Sequence, residues 1–283
     1  MDSATYIPRA AATIGEVNAP LNYLVRTGER PYAYQYEPPP GVPQRSGHYA
    51  PQVMPVYDAR ALAEPATLDK HGFELRIAGT AVTDFADDAA IHGSYYPEVE
   101  QLVKKATGAN RVVVFDHNVR LGANDRPDGI REPVRRMHND YTLKSAPQRV
   151  RDLMGAEADS LLRHRYAFIN LWRPLREPVL ASPLAICDAH SIELDDFIAS
   201  ELRYRDRVGE TYGVAHNPRH RWYYYPRMRR HEALFLKCFD SATDGRARFT
   251  AHGAFDDPTT PPGASPRQSI EARTIAFFAP DAG

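Results

Sequence analysis

Prolines and glycines, 24 and 17 of them in 283 residues, interrupt this chain so often that mostly short regular elements fit between them. The intervening segments are rich in aromatic and β-branched residues: "RVVVFDHNV", "YAFINLWRPL", "PLAICDAHSI", "HRWYYYPRM", "EALFLKCFD", "ARFTAHGAF" and "RQSIEARTIAFF". With the segment around His138 they make about eight strands, the number of a double-sheet jelly roll. The pattern therefore predicts a mainly β protein with flanking helices. Helices are expected at "SYYPEVEQLVKKATG", at "APQRVRDLMG" and at "ELDDFIASELRYRD". In the first, Ser94 can cap, Pro97 suits the first turn, Val99, Leu102, Val103 and Ala106 share a face, and Gly108 ends the run. Residues 1–70, which include "EPPPGVPQRSGHYAP", read as an irregular N-terminal arm wrapping the core, and residues 71–283 as the single jelly-roll domain.

Charge and hydropathy narrow the function classes. Thirty-five basic against 36 acidic residues give a net charge of −1, so no overall field draws the chain to nucleic acid or to an anionic membrane. The N-terminus lacks the apolar core of a signal peptide, and no apolar run approaches the ~20 residues of a membrane span. The two cysteines, Cys187 and Cys238, follow no metal or redox spacing and lie in apolar surroundings, which fits reduced thiols in a cytoplasm. A cytoplasmic protein that works on neither membranes nor nucleic acid is expected. Phosphate-binding glycine loops and the G-x-S-x-G hydrolase motif are missing too.

The chemistry-bearing stretch is "RRMHNDYT". Residues two apart on a strand share a face, so His138 and Asp140 can aim an imidazole and a carboxylate at one point. By itself the triplet equally suits a solvated turn. A metal needs a third ligand from the remaining histidines. His48, His71 and His92 sit in loop-like sequence, and His216 and His220 flank Asn217 and Pro218 in an apparent hairpin connection. His231 and His252 remain. After His252 the chain makes a proline-rich loop and returns with Arg267 and, two residues on, Ser269. On a strand these share a face, setting a guanidinium fork beside a hydroxyl, which suits a carboxylate. His231 is followed by a weaker imitation, Arg248 to Thr250, that leads into His252 itself. His252 is therefore the preferred ligand.

Strand parity extends the face to Glu271 and Arg273, as an ion pair or as a second anion contact. Asn170 and Trp172 share one face of "NLWRPL" and Arg173 takes the other; either set can meet a ligand. Trp222 and Tyr224, opposite Tyr223 and Tyr225, form either an aromatic wall or core packing. Asn170, Trp172, Arg173, Trp222, Tyr224 and Arg273 are thus the candidate substrate contacts.

His-x-Asp, a long interval, then His followed by Arg-x-Ser near the end of the chain resembles the iron(II)- and 2-oxoglutarate-dependent oxygenases. More specifically, "YAFINLWRPL", "PLAICDAHSI", "WYYYPRM", "EALFLKCFDS" and "FTAHGAFDDPTTPPGASPRQSIEAR" are similar to the family of fungal hydroxylase/desaturases and the hydroxylase component of cephamycin 7α-methoxylation. The resemblance covers roughly residues 70 to 278. It implies a cupin-like double-stranded β-helix with iron(II) at one mouth, held by His138, Asp140 and His252. It also implies 2-oxoglutarate gripped through its 5-carboxylate by Arg267 and Ser269, dioxygen as the third participant, and hydroxylation or desaturation of a small-molecule secondary metabolite. One departure is His231, where the family pattern has an acidic residue before the glutamate; this touches the lining near that strand and not the iron site. Two alternatives stay open on the residues alone: a cupin-like metal oxygenase without 2-oxoglutarate, and a non-catalytic jelly roll that binds a small molecule.

Overall fold

The computed structural model describes residues 15–120 and 133–279. Among them are fourteen strands, in chain order β1 (Glu16–Leu24), β2 (Tyr32–Tyr34), β3 (Tyr49–Asp58), β4 (Phe73–Ile77), β5 (Arg111–Arg120), β6 (His138–Asn139), β7 (Tyr166–Pro174), β8 (Leu184–Cys187), β9 (Phe197–Arg203), β10 (Val208–Val214), β11 (Trp222–Tyr224), β12 (Glu232–Asp240), β13 (His252–Ala254) and β14 (Ser269–Phe277). Nine form one sheet in the order β1-β3-β11-β8-β13-β6-β10-β9-β2, and five form a second, β4-β12-β7-β14-β5. The two curl into a jelly roll.

Strands β7 and β12 are buried at every position, because the five-stranded sheet is covered on both faces. Phe168 and Trp172 of β7, with Leu234, Leu236 and Cys238 of β12, join the core shared with the larger sheet. Ala167, Ile169 and Leu171, with Ala233 and Phe235, turn the other way, toward a helix at Tyr96–Thr107 that offers Val99 and Val103. That helix ends as expected at Gly108, whose φ of 73° favours glycine. Its start differs from the sequence reading. Helical turns continue upstream through Ile91–Tyr95 and Asp88–Ala90, and Asp87, not Ser94, caps them by accepting from the N–H groups of Ala89 and Ala90. The second expected helix is present at Ser145–Met154. Among the described residues no helix is long and apolar enough to cross a membrane.

Two expectations are corrected. The third helix does not form: Leu194–Asp196 is a single 3-10 turn, and Phe197–Arg203 is strand β9, paired antiparallel with β10 over seven residues. Leu194, needed for the apolar helix face, is 53% exposed. The ladder to β10 and the parallel pairing with β2 override a local helical pattern. Residues 15–70 are also more regular than an irregular arm. Strands β1 and β3 pair from Glu16↔Tyr57 to Leu24↔Tyr49, β3 runs parallel to β11, and Leu21, Tyr23, Met54 and Val56 are buried. Proline excludes helix interiors more strictly than strands, and Pro20 lies on β1 at the sheet edge, where proline is tolerated.

Candidate metal centre

The site is assembled by one cross-strand pair. His252 of β13 lies opposite His138 of β6, which brings the imidazole centroids to 4.6 Å. Such close approach needs Gly253: a Cβ there would stand 2.5 Å from Met137 Cε and 2.9 Å from the Arg136 carbonyl oxygen. Asp140 follows immediately after β6, with its Oδ1 3.6 Å from His138 Nε2. One donor atom from each of His138, Asp140 and His252 lies within 4.8 Å of the others.

Each imidazole is oriented by main chain. His138 Nδ1 donates to the Arg136 carbonyl at 2.8 Å, and His252 Nδ1 to the Thr250 carbonyl at 2.9 Å. A carbonyl only accepts, so Nδ1 carries a proton in each ring, and Nε2 is the nitrogen available to a metal. Burial and the neighbouring His252 push His138 down to about 4, which keeps the ring neutral. Asp140 is held by side chains: Asn170 Nδ2 donates to Oδ2 at 2.7 Å, and Arg273 Nε stands 3.6 Å from the same atom. Burial alone would raise the Asp140 pKa, but Arg273, the two histidines and the Asn170 hydrogen bond outweigh it and hold the carboxyl well below its usual range. Asn139 fixes the frame, donating to the carbonyls of Tyr141 and Cys238 and accepting from Thr250 N–H. Two imidazoles and one ionised carboxylate, each held from behind, suit a divalent ion such as iron(II).

Arg267 and Ser269 are both buried. Arg267 lies over the Trp172 ring, 5.4 Å from its centroid, and donates through Nη1 to the Ser182 carbonyl at 2.7 Å. Among the described residues, its buried Nε has no hydrogen-bond partner. Burial and the neighbouring arginines, Arg120 foremost, push the guanidinium down to about 9. A buried cation with an unmet donor and cationic neighbours fits an anionic ligand such as a carboxylate. Ser182 itself has a φ of 50°, a sparsely populated conformation for serine, beside this guanidinium.

The parity of the last strand holds: Glu271 lies opposite Trp172 and Arg273 opposite Asn170. Arg273 pairs with Asp116 at 2.9 Å and with Glu271 at 3.2 Å. It also lines a cavity of about 870 Å³ with Asp140, Tyr141, Phe115, Arg149 and Leu202, large enough for a small organic molecule.

The other candidate contacts are not brought there. Arg173 faces the opposite side of β7, where it donates to the carbonyls of Ala78, Gly79 and Arg230 and lies against Tyr95. Trp222 is fully buried and donates its indole N–H to Tyr23 Oη at 2.6 Å; Tyr224 packs edge-on against Phe255. Both belong to the core. Trp172 serves as the floor under Arg267, and Asn170 holds Asp140. His231 is exposed and lies where β12 meets β4, with its carbonyl accepting from Ala78 N–H. Sequence reasoning missed Asn139 and Asp116, and the carbonyls of Arg136 and Thr250 carry no residue-type signal at all.

Comparison with known proteins gives a consistent result. A family model described as an oxidoreductase/YMDC permease-like domain matches residues 21–277. The Fe(II)/2-oxoglutarate-dependent dioxygenase nvfI of Aspergillus novofumigatus is 35% identical over 251 residues, covering 86% of this chain and 90% of that protein. The hydroxylase/desaturase efuI of Hormonema carpetanum is 34% identical, covering 81% and 85%. The solved structure of the iron and alpha-ketoglutarate-dependent endoperoxidase NvfI superposes with a TM-score of 0.83 at 31% identity, over 93% of this chain and 98% of that one. By sequence and by fold, this chain belongs to the family of Fe(II)/2-oxoglutarate-dependent dioxygenases that includes the fungal hydroxylase/desaturases.

Proposed function

We propose that His138, Asp140 and His252 hold iron(II), that Arg267 and Ser269 hold the 5-carboxylate of 2-oxoglutarate, and that the enzyme hydroxylates or desaturates a small secondary metabolite bound in the cavity beside Asp140. The observation that carries this reading is the pairing of a His-Asp-His cluster with a buried arginine whose Nε has no hydrogen-bond partner among the described residues. Bound there, iron(II) with 2-oxoglutarate and dioxygen supplies the oxidant for an unactivated C–H bond, while 2-oxoglutarate is converted to succinate and carbon dioxide. The chain's own residues do the placing. The Arg136 and Thr250 carbonyls fix which ring nitrogens face the metal, and Asn170 and Arg273 keep Asp140 ionised and aimed. Trp172 and Arg267 form a dry seat that selects a dicarboxylate over water. Phe115, Tyr141 and Leu202 give the cavity apolar surface for a carbon skeleton.

Anaerobic titration of the protein with iron(II) and then 2-oxoglutarate tests the reading. A weak visible charge-transfer band is expected in the parent and in His231→Ala, and none in His252→Ala. A band that survives His252→Ala and is lost in His231→Ala sinks the ligand assignment. Succinate release across a metabolite panel then identifies the substrate.

A further inference from the structure

A second group of metal-ligating side chains lies on the outside of the barrel: Asp88, His92 and His117. Asp88 and His92 stand one turn apart on the helical turns that precede Tyr96–Thr107, and His117 is on β5. In the β5–β14 register His117 lies opposite Ala272, on the helix-facing side of the sheet, one residue from Asp116, which lies opposite Arg273. The cluster is thus separated from the iron site by the sheet itself.

We infer that Asp88, His92 and His117 form a second divalent transition-metal site, of the zinc type, that ties the outer helix to strand β5. The inference does not depend on the proposed function. His92 Nδ1 is 3.3 Å from Asp88 Oδ2, and His117 Nε2 is 3.5 Å from Asp88 Oδ1. Ligand atoms around one tetrahedral zinc, at bonds of roughly 2.0–2.1 Å, stand about 3.3 Å apart. The donor atoms all lie within 4.8 Å of one another, so rotation of two exposed side chains, Asp88 and His92, closes the set. The third is already oriented: Tyr96 Oη bonds His117 Nδ1 at 2.8 Å, the outer-shell contact that fixes the ring of a metal-binding histidine. His92 also lies in the π-helical turn Ile91–Tyr95, a wider turn that recurs at functional sites, and its ring stands 5.5 Å from that of His117. Binding through His92 Nδ1 exchanges its 2.9 Å bond to the Asp88 carbonyl for the metal. Two imidazoles and one carboxylate favour zinc, cobalt or nickel over magnesium or calcium, with water completing the shell.

The test uses zinc on the full chain carrying His138→Ala and His252→Ala, which removes the inner cluster. Equilibrium dialysis with metal analysis is expected to give one zinc per chain, and zinc is expected to raise Tm. Adding His92→Ala, or separately Asp88→Asn, at exposed positions, is expected to weaken zinc binding by at least tenfold and to abolish the Tm rise, while melting without zinc is unchanged. A chain that binds no zinc once the inner cluster is removed overturns the inference. So does one whose zinc binding is unchanged by both additional substitutions.

Discussion

Arg267, two residues before β14, and Arg273, within it, stand six positions apart and live in opposite surroundings. Arg273 meets three carboxylates, Asp116, Asp140 and Glu271. Arg267 has a backbone carbonyl, an indole face, two arginines and Glu271 in its neighbourhood, and one donor that meets nothing among the described residues. The same side chain is thus saturated within the strand and left with an unmet donor just before it. A guanidinium with three carboxylate partners acts as a brace; one with an unmet donor is open to an anion. Of the two, only Arg267 suits an incoming anion.

The sharpest way to break this contrast is Arg267→Ala. Loss of a buried charge-assisted contact is worth about 1.5–3 kcal/mol, so the 2-oxoglutarate requirement should rise roughly 10- to 150-fold with iron affinity retained. Parallel loss of iron and cosubstrate binding would mean a collapsed barrel. Arg273→Leu should act on stability instead, because it strands partly buried carboxylates at a cost of about 3 kcal/mol. Melting should fall, iron(II) should restore part of the loss by compensating Asp140, and the succinate-to-product ratio should stay near that of the parent. A variant that melts normally but releases excess succinate would make Arg273 a substrate contact. Asn170→Ala removes one hydrogen bond behind Asp140 and should weaken iron binding roughly 10-fold, read by metal titration, with no change in the 2-oxoglutarate requirement at saturating iron. The smallest effect is expected for Ser269→Ala, where one neutral donor worth about 0.5–1.5 kcal/mol should raise the 2-oxoglutarate requirement by roughly 2- to 12-fold.

Much of this was legible because the strands repeat every second residue. Parity places Ser269, Glu271 and Arg273 on one face without any tertiary information, and spacing to Arg267 separates His252 from His231. Parity cannot say which face of β7 turns inward. Arg173 looks as polar as Asn170 in the sequence, and only the carbonyls of Ala78 and Arg230, remote along the chain, decide that it turns outward. The apolar spacing of Leu194, Phe197, Ile198 and Leu202 misleads because Phe197–Arg203 is held as a strand by ladders to β10, which follows after residues 204–207, and to the remote β2, neither of which a helical periodicity registers. Asp88 and His92 do carry a local signal, one turn apart, but His117 joins them only through the fold.

The two main-chain tethers behind His138 and His252 have an evolutionary reading. Each ring takes its proton assignment from a carbonyl two residues earlier in the same segment, and every residue type presents that carbonyl. No single side-chain exchange at Arg136 or Thr250 deletes it. Asp140, by contrast, depends on an amide and a guanidinium that mutation can remove. On the proposed metal assignment, substitution reaches this centre from one side only: two of its three corners are insulated from side-chain exchange around them, and the third is reached through Asn170 and Arg273.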